Sequence, residues 1–383
     1  MDKRPRKQPQ RRRVALVLQG GGALGAYQAG VYEALHEHGL APDWVVGTSI
    51  GAINAALIAG NVPGARLPRL QEFWHGVAQD DALDMRQALD PARQFNTWLA
   101  TANVLTRGVP GFFSPRVPNP FAAGLPVEPA TASFYDTGAL AATLARLVDF
   151  GHLAAPGAMR LTVGAVQVTS GNLVNFDSAR QALGVEHVMA SGALPPGFAP
   201  VRIDGKLYWD GGLYSNTPLD LVLDDEPRVD TLCFMVDLWR GDGPEPRTLA
   251  DVQTRQKDVM FASRSRRHIE SYRRLHELRR AVRALHSRLP LKLRDTPEMR
   301  ALGAVGCDTT MHIVRLTYPG RDWQMASKDI NFSRGSIDWR WQHGLRDARH
   351  AIEHAGWLAP VPPHTGVVVH ELPVATGDRD DRS

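Results

Sequence analysis

The sequence predicts an α/β fold, because strand-like runs alternate with helical patterns from residue 14 onward. Val14–Leu18 is an apolar run of β-forming residues, which is typical of a strand buried on both faces. A glycine-rich turn and a helical pattern over Ala26–His38 follow directly. A second short strand, Asp43–Val46, then leads through another turn to a helix of small residues, Ala52–Ala59. Two consecutive strand–turn–helix units therefore predict the fold class.

The first turn has the pattern G-x-G-x-x-G and leads into a helix. Adjacent glycines at a helix start allow several backbone N–H groups to point the same way, where they can hold the oxyanion of a tetrahedral acyl intermediate. A dinucleotide-binding loop is the alternative, but it requires an acidic residue at the end of the second strand, where this chain has Thr48 and Ser49. The predicted oxyanion-hole residues are Gly20, Gly21, Gly22, Ala23 and Gly25.

The second turn, Gly47-Thr48-Ser49-Ile50-Gly51, has the pattern G-x-S-x-G between a strand and a helix. A serine on such a sharp turn projects its hydroxyl out of the sheet, and Gly47 and Gly51 relieve the crowding. We therefore predict that Ser49 is a nucleophile. An α/β-hydrolase fits poorly, because its serine follows several strands and acts with a later histidine.

A third motif, Asp210-Gly211-Gly212, ends the strand-like run Lys206–Trp209. In isolation, Asp-Gly indicates only a tight turn. With the glycine loop and Ser49 before it, the set resembles the patatin-like phospholipases, which are acyl hydrolases with a Ser–Asp dyad. The resemblance implies a three-layer α/β/α fold with a mainly parallel central sheet. It also implies that Asp210, within an Asp-Gly-Gly motif that includes Gly211 and Gly212, is the proton acceptor for Ser49.

The resemblance implies a serine acyl-ester hydrolase that cleaves lipid carboxyl esters through an acyl-Ser49 intermediate. It requires no metal or cofactor, so we expect neither at the site. Because an ordinary aspartate is a poor base at neutral pH, we expect Asp210 to be buried and its pKa raised. Two alternatives remain: hydrolysis of another hydrophobic ester, such as a storage polyester, or an interaction protein that uses a basic C-terminal extension.

The chain divides into four predicted regions. Residues 1–13 form a basic disordered tail, 14–240 the hydrolase domain, 247–357 a helix-rich C-terminal extension and 358–383 a disordered tail. The extension resembles that of one bacterial subgroup of patatin-like proteins. Its helical pattern over Leu249–Leu289 includes an apolar stripe, which we expect to pack on the core.

A proline-rich segment interrupts the hydrolase domain between residues 106 and 133, with six prolines and three phenylalanines. Long loops in compact domains are usually functional or cover another surface. One interpretation is that the segment covers a sheet edge. The other is that Phe112, Phe113 and Phe121 line an acyl-binding site or lid.

Charge is concentrated in two places, although the net charge is only +4. Seven basic residues and one acidic residue occupy positions 1–13, and eleven basic against four acidic residues lie between 251 and 290. Residues 1–13 and 255–288 are therefore candidates for contact with an anionic membrane surface. Nucleic-acid binding is not favoured, because no recognition module is visible.

We expect the protein to lie in the cytoplasm, and any contact with a membrane to be peripheral. Two cysteines provide no disulfide framework. The apolar run after the basic tail ends within five residues, so it is too short for a secretory signal, and no later stretch is long enough to span a bilayer.

Overall fold

The computed structural model describes residues 12–81, 90–117, 126–262, 265–320, 326–362 and 365–371. Its strands are β1 (Arg13–Leu18), β2 (Trp44–Gly47), β3 (Ser114–Pro115), β4 (Tyr135–Asp136), β5 (Arg160–Gln167), β6 (Leu173–Asp177), β7 (Val201–Ile203), β8 (Lys206–Asp210), β9 (Thr231–Asp237), β10 (Met311–Thr317) and β11 (Val367–Glu371).

The α-helices are α1 (Ala26–Glu37), α2 (Ile50–Ala59), α3 (Pro63–Val77), α4 (Asp90–Arg107), α5 (Gly138–Leu147), α6 (Phe150–Leu153), α7 (Val185–Ser191), α8 (Leu219–Leu223), α9 (Leu249–Phe261), α10 (Ser265–Arg288), α11 (Leu291–Arg294), α12 (Pro297–Val305) and α13 (Arg334–Glu353). Short 3-10 helices lie at Gly22–Gly25, Pro129–Thr131, Gly211–Leu213, Lys328–Ile330 and Gly356–Leu358.

Nine strands form one central sheet, in the order β11-β10-β9-β1-β2-β5-β8-β7, with β6 also paired to β5. The pairs from β11 through β5 are parallel, and β6, β7 and β8 add antiparallel pairs at the other end. β3 and β4 form a separate two-stranded sheet. The predicted α/β fold with a mainly parallel sheet is confirmed.

Helices cover both faces of this sheet, as the alternating side chains of β1 show. Leu16 and Leu18 belong to the larger hydrophobic cluster, which includes residues of α1, α2, α3 and α13. Ala15 and Val17 belong to a second cluster with residues of α8 and α10. A strand covered on both faces needs apolar residues at every position, which explains the continuous apolar run in β1.

The C-terminal region continues the sheet and one helical layer of the predicted hydrolase domain. β10 pairs with β9, and α13 packs along α1. Two glycines allow this close helix crossing, because a Cβ added to Gly30 would lie 1.9 Å from the carbonyl oxygen of Trp341, and one added to Gly344 would lie 2.0 Å from that of Tyr27. Residues 14–240 therefore share one core with elements of the region predicted as an extension.

The structure corrects one predicted region. Residues 358–383 were expected to form a disordered tail, but Val367–Glu371 is strand β11, which pairs in parallel with β10 from Met311 to Arg315. Three consecutive valines favour this strand. The basic tail predicted at residues 1–13 lies outside the described residues up to Arg11, and Arg13 begins β1.

No helix in the described part of the chain is long and apolar enough to cross a bilayer.

Candidate active site

Ser49 lies on a strained turn between β2 and α2. Its backbone φ is 57°, a left-handed conformation that is uncommon for residues other than glycine. The flanking glycines have no room for side chains: a Cβ on Gly47 would lie 2.2 Å from the carbonyl oxygen of Gly51, and one on Gly51 would lie 2.2 Å from that of Leu18. The predicted elbow geometry at Ser49 is therefore present.

The register of β5 brings Asp210 beside this elbow. Val163 pairs with Gly47 on one side and Phe176 on the other, and Ala165 pairs with Asp210. Because β6 occupies the opposite edge of β5, β2 and β8 share the same edge and their carboxyl ends meet there. Gly47 and Asp210 thus lie opposite residues of β5 that are two positions apart, so the chain after β2 meets the end of β8.

The Asp210 side chain is buried and forms a hydrogen bond with the Ser49 side chain. Its Oδ1 also accepts a hydrogen bond from the Gly212 N–H at 2.7 Å, and Gly211 has no room for a Cβ beside the Gly164 carbonyl oxygen. Burial raises the pKa of Asp210 from 3.8 to about 7, although both hydrogen bonds act to lower it. A carboxylate with this pKa is suited to exchange protons near neutral pH.

The glycine loop lies beside Ser49, because a Cβ on Gly20 would lie 3.0 Å from Ser49 Cβ. The first hydrogen bond of the 3-10 helix runs from the Leu24 N–H to the Gly21 carbonyl at 3.1 Å, so the N–H groups of Gly21, Gly22 and Ala23 precede it. Gly21 and Gly22 line the same cavity as Ser49 and Asp210. Such N–H groups can stabilise a developing oxyanion.

Three comparisons with known proteins bear on this arrangement. The family model described as patatin-like phospholipase matches residues 16–223, which is more than half of the chain and includes Ser49 and Asp210. The chain belongs to the patatin-like phospholipase family. A second model, described as patatin phospholipase, matches residues 259–364, within the C-terminal region.

Curated relatives of the family match this chain over short parts of their own length. Human patatin-like phospholipase domain-containing protein 6 is 27% identical over 212 residues, which cover 54% of this chain and 12% of the human protein. Triacylglycerol lipase SDP1L from Arabidopsis thaliana is 42% identical over 65 residues, or 17% of this chain and 8% of that protein. Lysophospholipase nte1 from Aspergillus terreus is 58% identical over 48 residues, or 12% of this chain and 3% of that protein.

Among solved structures, VipD from Legionella pneumophila matches with a TM-score of 0.37 and 15% identity, over 87% of this chain and 67% of that chain.

Two of the predicted oxyanion-hole residues of this patatin-like site have other roles. The Gly20 N–H donates to the Asn216 carbonyl at 3.1 Å, so it is occupied. Gly25 packs where α1 meets α2, because a Cβ there would lie 2.6 Å from Ile50 Cγ1. Ala23 is buried and lies outside the cavity lining described for Ser49. Gly21 and Gly22 line the cavity.

Phe112 and Phe113, two of the predicted acyl-site phenylalanines, do not line this cavity. Phe112 and Phe113 are buried in an aromatic cluster, with ring centroids 5.8 Å from Phe332 and 5.2 Å from Phe198, respectively. The prediction that these two residues form the acyl site is therefore corrected, because their side chains fill the core. Phe121 lies outside the described residues.

Residues from distant parts of the chain line the cavity instead. Its volume is about 40 Å³, and the lining includes residues that sequence analysis did not select: Leu194, Asn216, Trp239, Phe261 and Asp329. Trp239 donates from Nε1 to the Gly20 carbonyl at 2.8 Å, and Asn216 donates from Nδ2 to the Gly20 carbonyl at 3.1 Å. Both side chains therefore fix the glycine loop.

A buried polar network supports the same loop from within the core. The Gln19 carbonyl accepts from Gln28 Nε2 at 2.7 Å, and Asn54 Nδ2 donates to the Gly25 carbonyl and to Gln28 Oε1, each at 2.9 Å. Asn54 is the one polar residue in the otherwise apolar helix α2, a signal that sequence analysis could have used. Ser191 Oγ accepts a hydrogen bond from the Ser49 N–H at 3.1 Å.

Proposed function

We propose that this chain is a serine acyl-ester hydrolase that cleaves carboxyl esters of lipids, with Ser49 as nucleophile and Asp210 as proton acceptor. The observation that carries the proposal is the hydrogen bond between the Ser49 hydroxyl and a buried carboxyl group whose pKa is about 7. Relatives named as a triacylglycerol lipase and a lysophospholipase support a lipid ester as the substrate class.

In the first half-reaction, Ser49 Oγ attacks the ester carbonyl carbon while Asp210 accepts the hydroxyl proton. The tetrahedral intermediate carries its negative charge on the former carbonyl oxygen, which the N–H groups of Gly21 and Gly22 stabilise. Collapse breaks the bond to the alcohol oxygen. Asp210 returns its proton to that oxygen, and the alcohol leaves an acyl-Ser49 ester.

In the second half-reaction, a water molecule occupies the position of the departed alcohol. Asp210 accepts a proton from this water as its oxygen attacks the acyl carbon, and the same two N–H groups stabilise the second oxyanion. The bond to Ser49 Oγ then breaks, and the proton held by Asp210 returns to the serine. The fatty acid is released and the enzyme is restored.

We also propose peripheral contact with an anionic membrane surface through the basic residues of 1–13 and 255–288. On α10, the side chains of Arg266, Arg267, Arg274 and Arg283 are exposed. Each exposed guanidinium group that lies close to an anionic membrane surface contributes about 1 kcal/mol to binding.

The experiment is fatty-acid release from separate panels of phospholipid, lysophospholipid, triacylglycerol and hydroxyalkanoate polyester. Wild type is compared with Ser49→Ala, Asp210→Asn and Ser170→Ala, the last being an exposed serine in the turn between β5 and β6. We expect wild type and Ser170→Ala to release fatty acid from at least one lipid class. Ser49→Ala and Asp210→Asn should each lower the rate of release at least about a thousandfold. Undiminished release by Ser49→Ala, or cleavage of the polyester alone, contradicts the proposal.

A further inference from the structure

Helix α9 has the opposite orientation to an ordinary surface helix: its apolar side chains face solvent. None of its residues is buried. Four apolar residues recur at helical spacing and form one stripe, with exposed fractions of 83% for Leu249, 46% for Val252, 55% for Val259 and 60% for Met260. The expectation that Val252 and Val259 pack on the core is therefore wrong.

The charged side chains of α9 face the protein and fix this orientation. Lys257 Nζ lies 2.6 Å from Asp329 Oδ1, and Asp258 Oδ1 lies 2.5 Å from Lys328 Nζ. These reciprocal ion pairs join α9 to the 3-10 helix Lys328–Ile330. Arg255 also donates to the carbonyl of Arg240 at 3.2 Å. Turning the stripe inward would break these contacts, so the outward apolar face is specified by the structure.

The last residue of α9 belongs to the wall of the catalytic cavity. Phe261 lines the cavity that contains Ser49, and its ring centroid lies 5.3 Å from that of Trp239. The Phe261 carbonyl accepts hydrogen bonds from Asn216 Nδ2 at 2.9 Å and Gln19 Nε2 at 3.1 Å. The apolar stripe is therefore continuous with the mouth of the site.

A second exposed apolar segment lies beside the same cavity. Leu213 and Tyr214 are exposed and directly follow Gly212, which lines the cavity. Two segments that are distant in sequence thus place apolar side chains around one opening. Exposed apolar residues grouped in this way mark an interaction surface.

We infer that the stripe of α9 docks on the surface of lipid aggregates and that docking moves Phe261 away from the cavity. This inference rests on the proposed function, because a site for lipid esters opens at this surface. The stripe carries no charged residue, as insertion below lipid head groups requires. The described cavity, about 40 Å³, is far smaller than the roughly 300–1,000 Å³ of pockets that enclose small-molecule ligands, so an acyl chain needs Phe261 to move.

Vesicle flotation tests docking separately from catalysis. Full-length Ser49→Ala protein is mixed with vesicles of phosphatidylcholine, alone or with phosphatidylglycerol, with and without the added pair Val252→Asp and Val259→Asp. The matched control is Leu278→Asp with Leu285→Asp on α10, which has the same spacing of seven residues and similar exposure. On vesicles of phosphatidylcholine alone, which carry no net negative charge for the arginines of α10 to bind, we expect the α9 pair to lower the bound fraction about tenfold and the α10 pair to leave it unchanged. Both pairs should retain the parent melting temperature.

Catalytic measurements on the same substitutions in the active chain test the movement of Phe261. We expect the α9 pair to lower the ratio of vesicle-lipid hydrolysis to p-nitrophenyl acetate hydrolysis about tenfold. Equal binding by all variants, equal losses in both pairs, or no binding of the parent protein overturns the inference. If the parent floats with vesicles but the active chain cleaves no ester, docking stands and the proposed function fails.

Discussion

Ser49 and Asp210 are joined by a side-chain hydrogen bond at the point where β2 and β8 meet along one edge of β5. The serine takes its position from a strained elbow, and the carboxyl group takes its raised pKa from burial. These two features act together: the elbow presents the hydroxyl, and burial keeps the neighbouring carboxyl group able to accept a proton near neutral pH.

Burial of Asp210 predicts a pH-dependent effect of Asp210→Asn on stability. The folded-state pKa of about 7 lies above the unfolded value of 3.8, so the folded state holds this proton more tightly. The stabilising contribution is complete below pH 3.8 and is lost as the pH rises through 7. Asparagine does not titrate. The free energy of unfolding of Asp210→Asn, measured relative to wild type, should therefore rise by about 2–3 kcal/mol from pH 5 to pH 8.

Urea unfolding of wild type and Asp210→Asn at pH 5 and pH 8 measures this difference directly. Ser49→Ala is the control, because it removes the partner hydroxyl and leaves the buried carboxyl group in place. A free-energy difference between wild type and Asp210→Asn that is the same at both pH values would show that Asp210 titrates normally.

The glycines of the elbow predict a contrast between two Gly→Ala substitutions. A methyl group on Gly51 would lie 2.2 Å from the Leu18 carbonyl oxygen, whereas one on Gly64 in α3 meets no atom within 4 Å. Gly51→Ala should destabilise the fold by about 2 kcal/mol or more and reduce turnover at least a hundredfold. Gly64→Ala should preserve both, and measured melting temperatures and initial rates would distinguish the two outcomes.

Local motifs in the sequence predict the two turns at the centre of the candidate site. The strand–turn–helix units around Gly20–Gly25 and Ser49 depend on backbone requirements that glycine patterns record directly. Asp210 could be paired with Ser49 only through the family resemblance, because the contact depends on the register of three strands. Its burial was predicted from chemistry alone, since a neutral-pH base requires a raised pKa.

The walls of the cavity predict which phenylalanine affects substrate size. Phe261→Ala removes a ring from the cavity lining, so kcat/KM for p-nitrophenyl octanoate should rise several-fold relative to p-nitrophenyl acetate. Phe113→Ala removes a core side chain, so it should lower the free energy of unfolding by about 3–5 kcal/mol without changing that ratio. If Phe113→Ala alone changed the chain-length preference, the interpretation that the proline-rich segment lines an acyl-binding site would be restored.

The crossing of α1 and α13 predicts that the C-terminal region is required for folding. A side chain at Gly344 would meet the Tyr27 carbonyl at 2.0 Å, so Gly344→Leu should separate the two helices and lower the melting temperature by more than about 5 °C. Gly320→Ala serves for comparison: its added methyl meets no atom within 4 Å, although its positive φ adds strain. A full-length Gly344→Leu protein as stable as wild type would show that α13 docks only loosely.

Long-range packing explains what sequence reasoning missed. Phe261 and Asp329 reach the cavity because α9 and the 3-10 helix Lys328–Ile330 fold back over the glycine loop, where a Cβ on Gly22 would lie 2.2 Å from the Asp329 carbonyl oxygen. No local pattern marks such contacts. The apolar stripe of α9 was visible, but its periodicity alone could not reveal that charged residues fix its opposite face to the protein.

The most direct test of the account is the pH dependence of fluorophosphonate labelling, with the labelled residue identified by mass spectrometry. Labelling should occur at Ser49, disappear in Ser49→Ala, and slow as Asp210 is protonated, with a single apparent pKa near 7. Labelling of Ser49 with an acidic limit near pH 4 would contradict the role assigned to the buried carboxyl group. Folded wild-type protein that does not label at all would contradict the nucleophile itself.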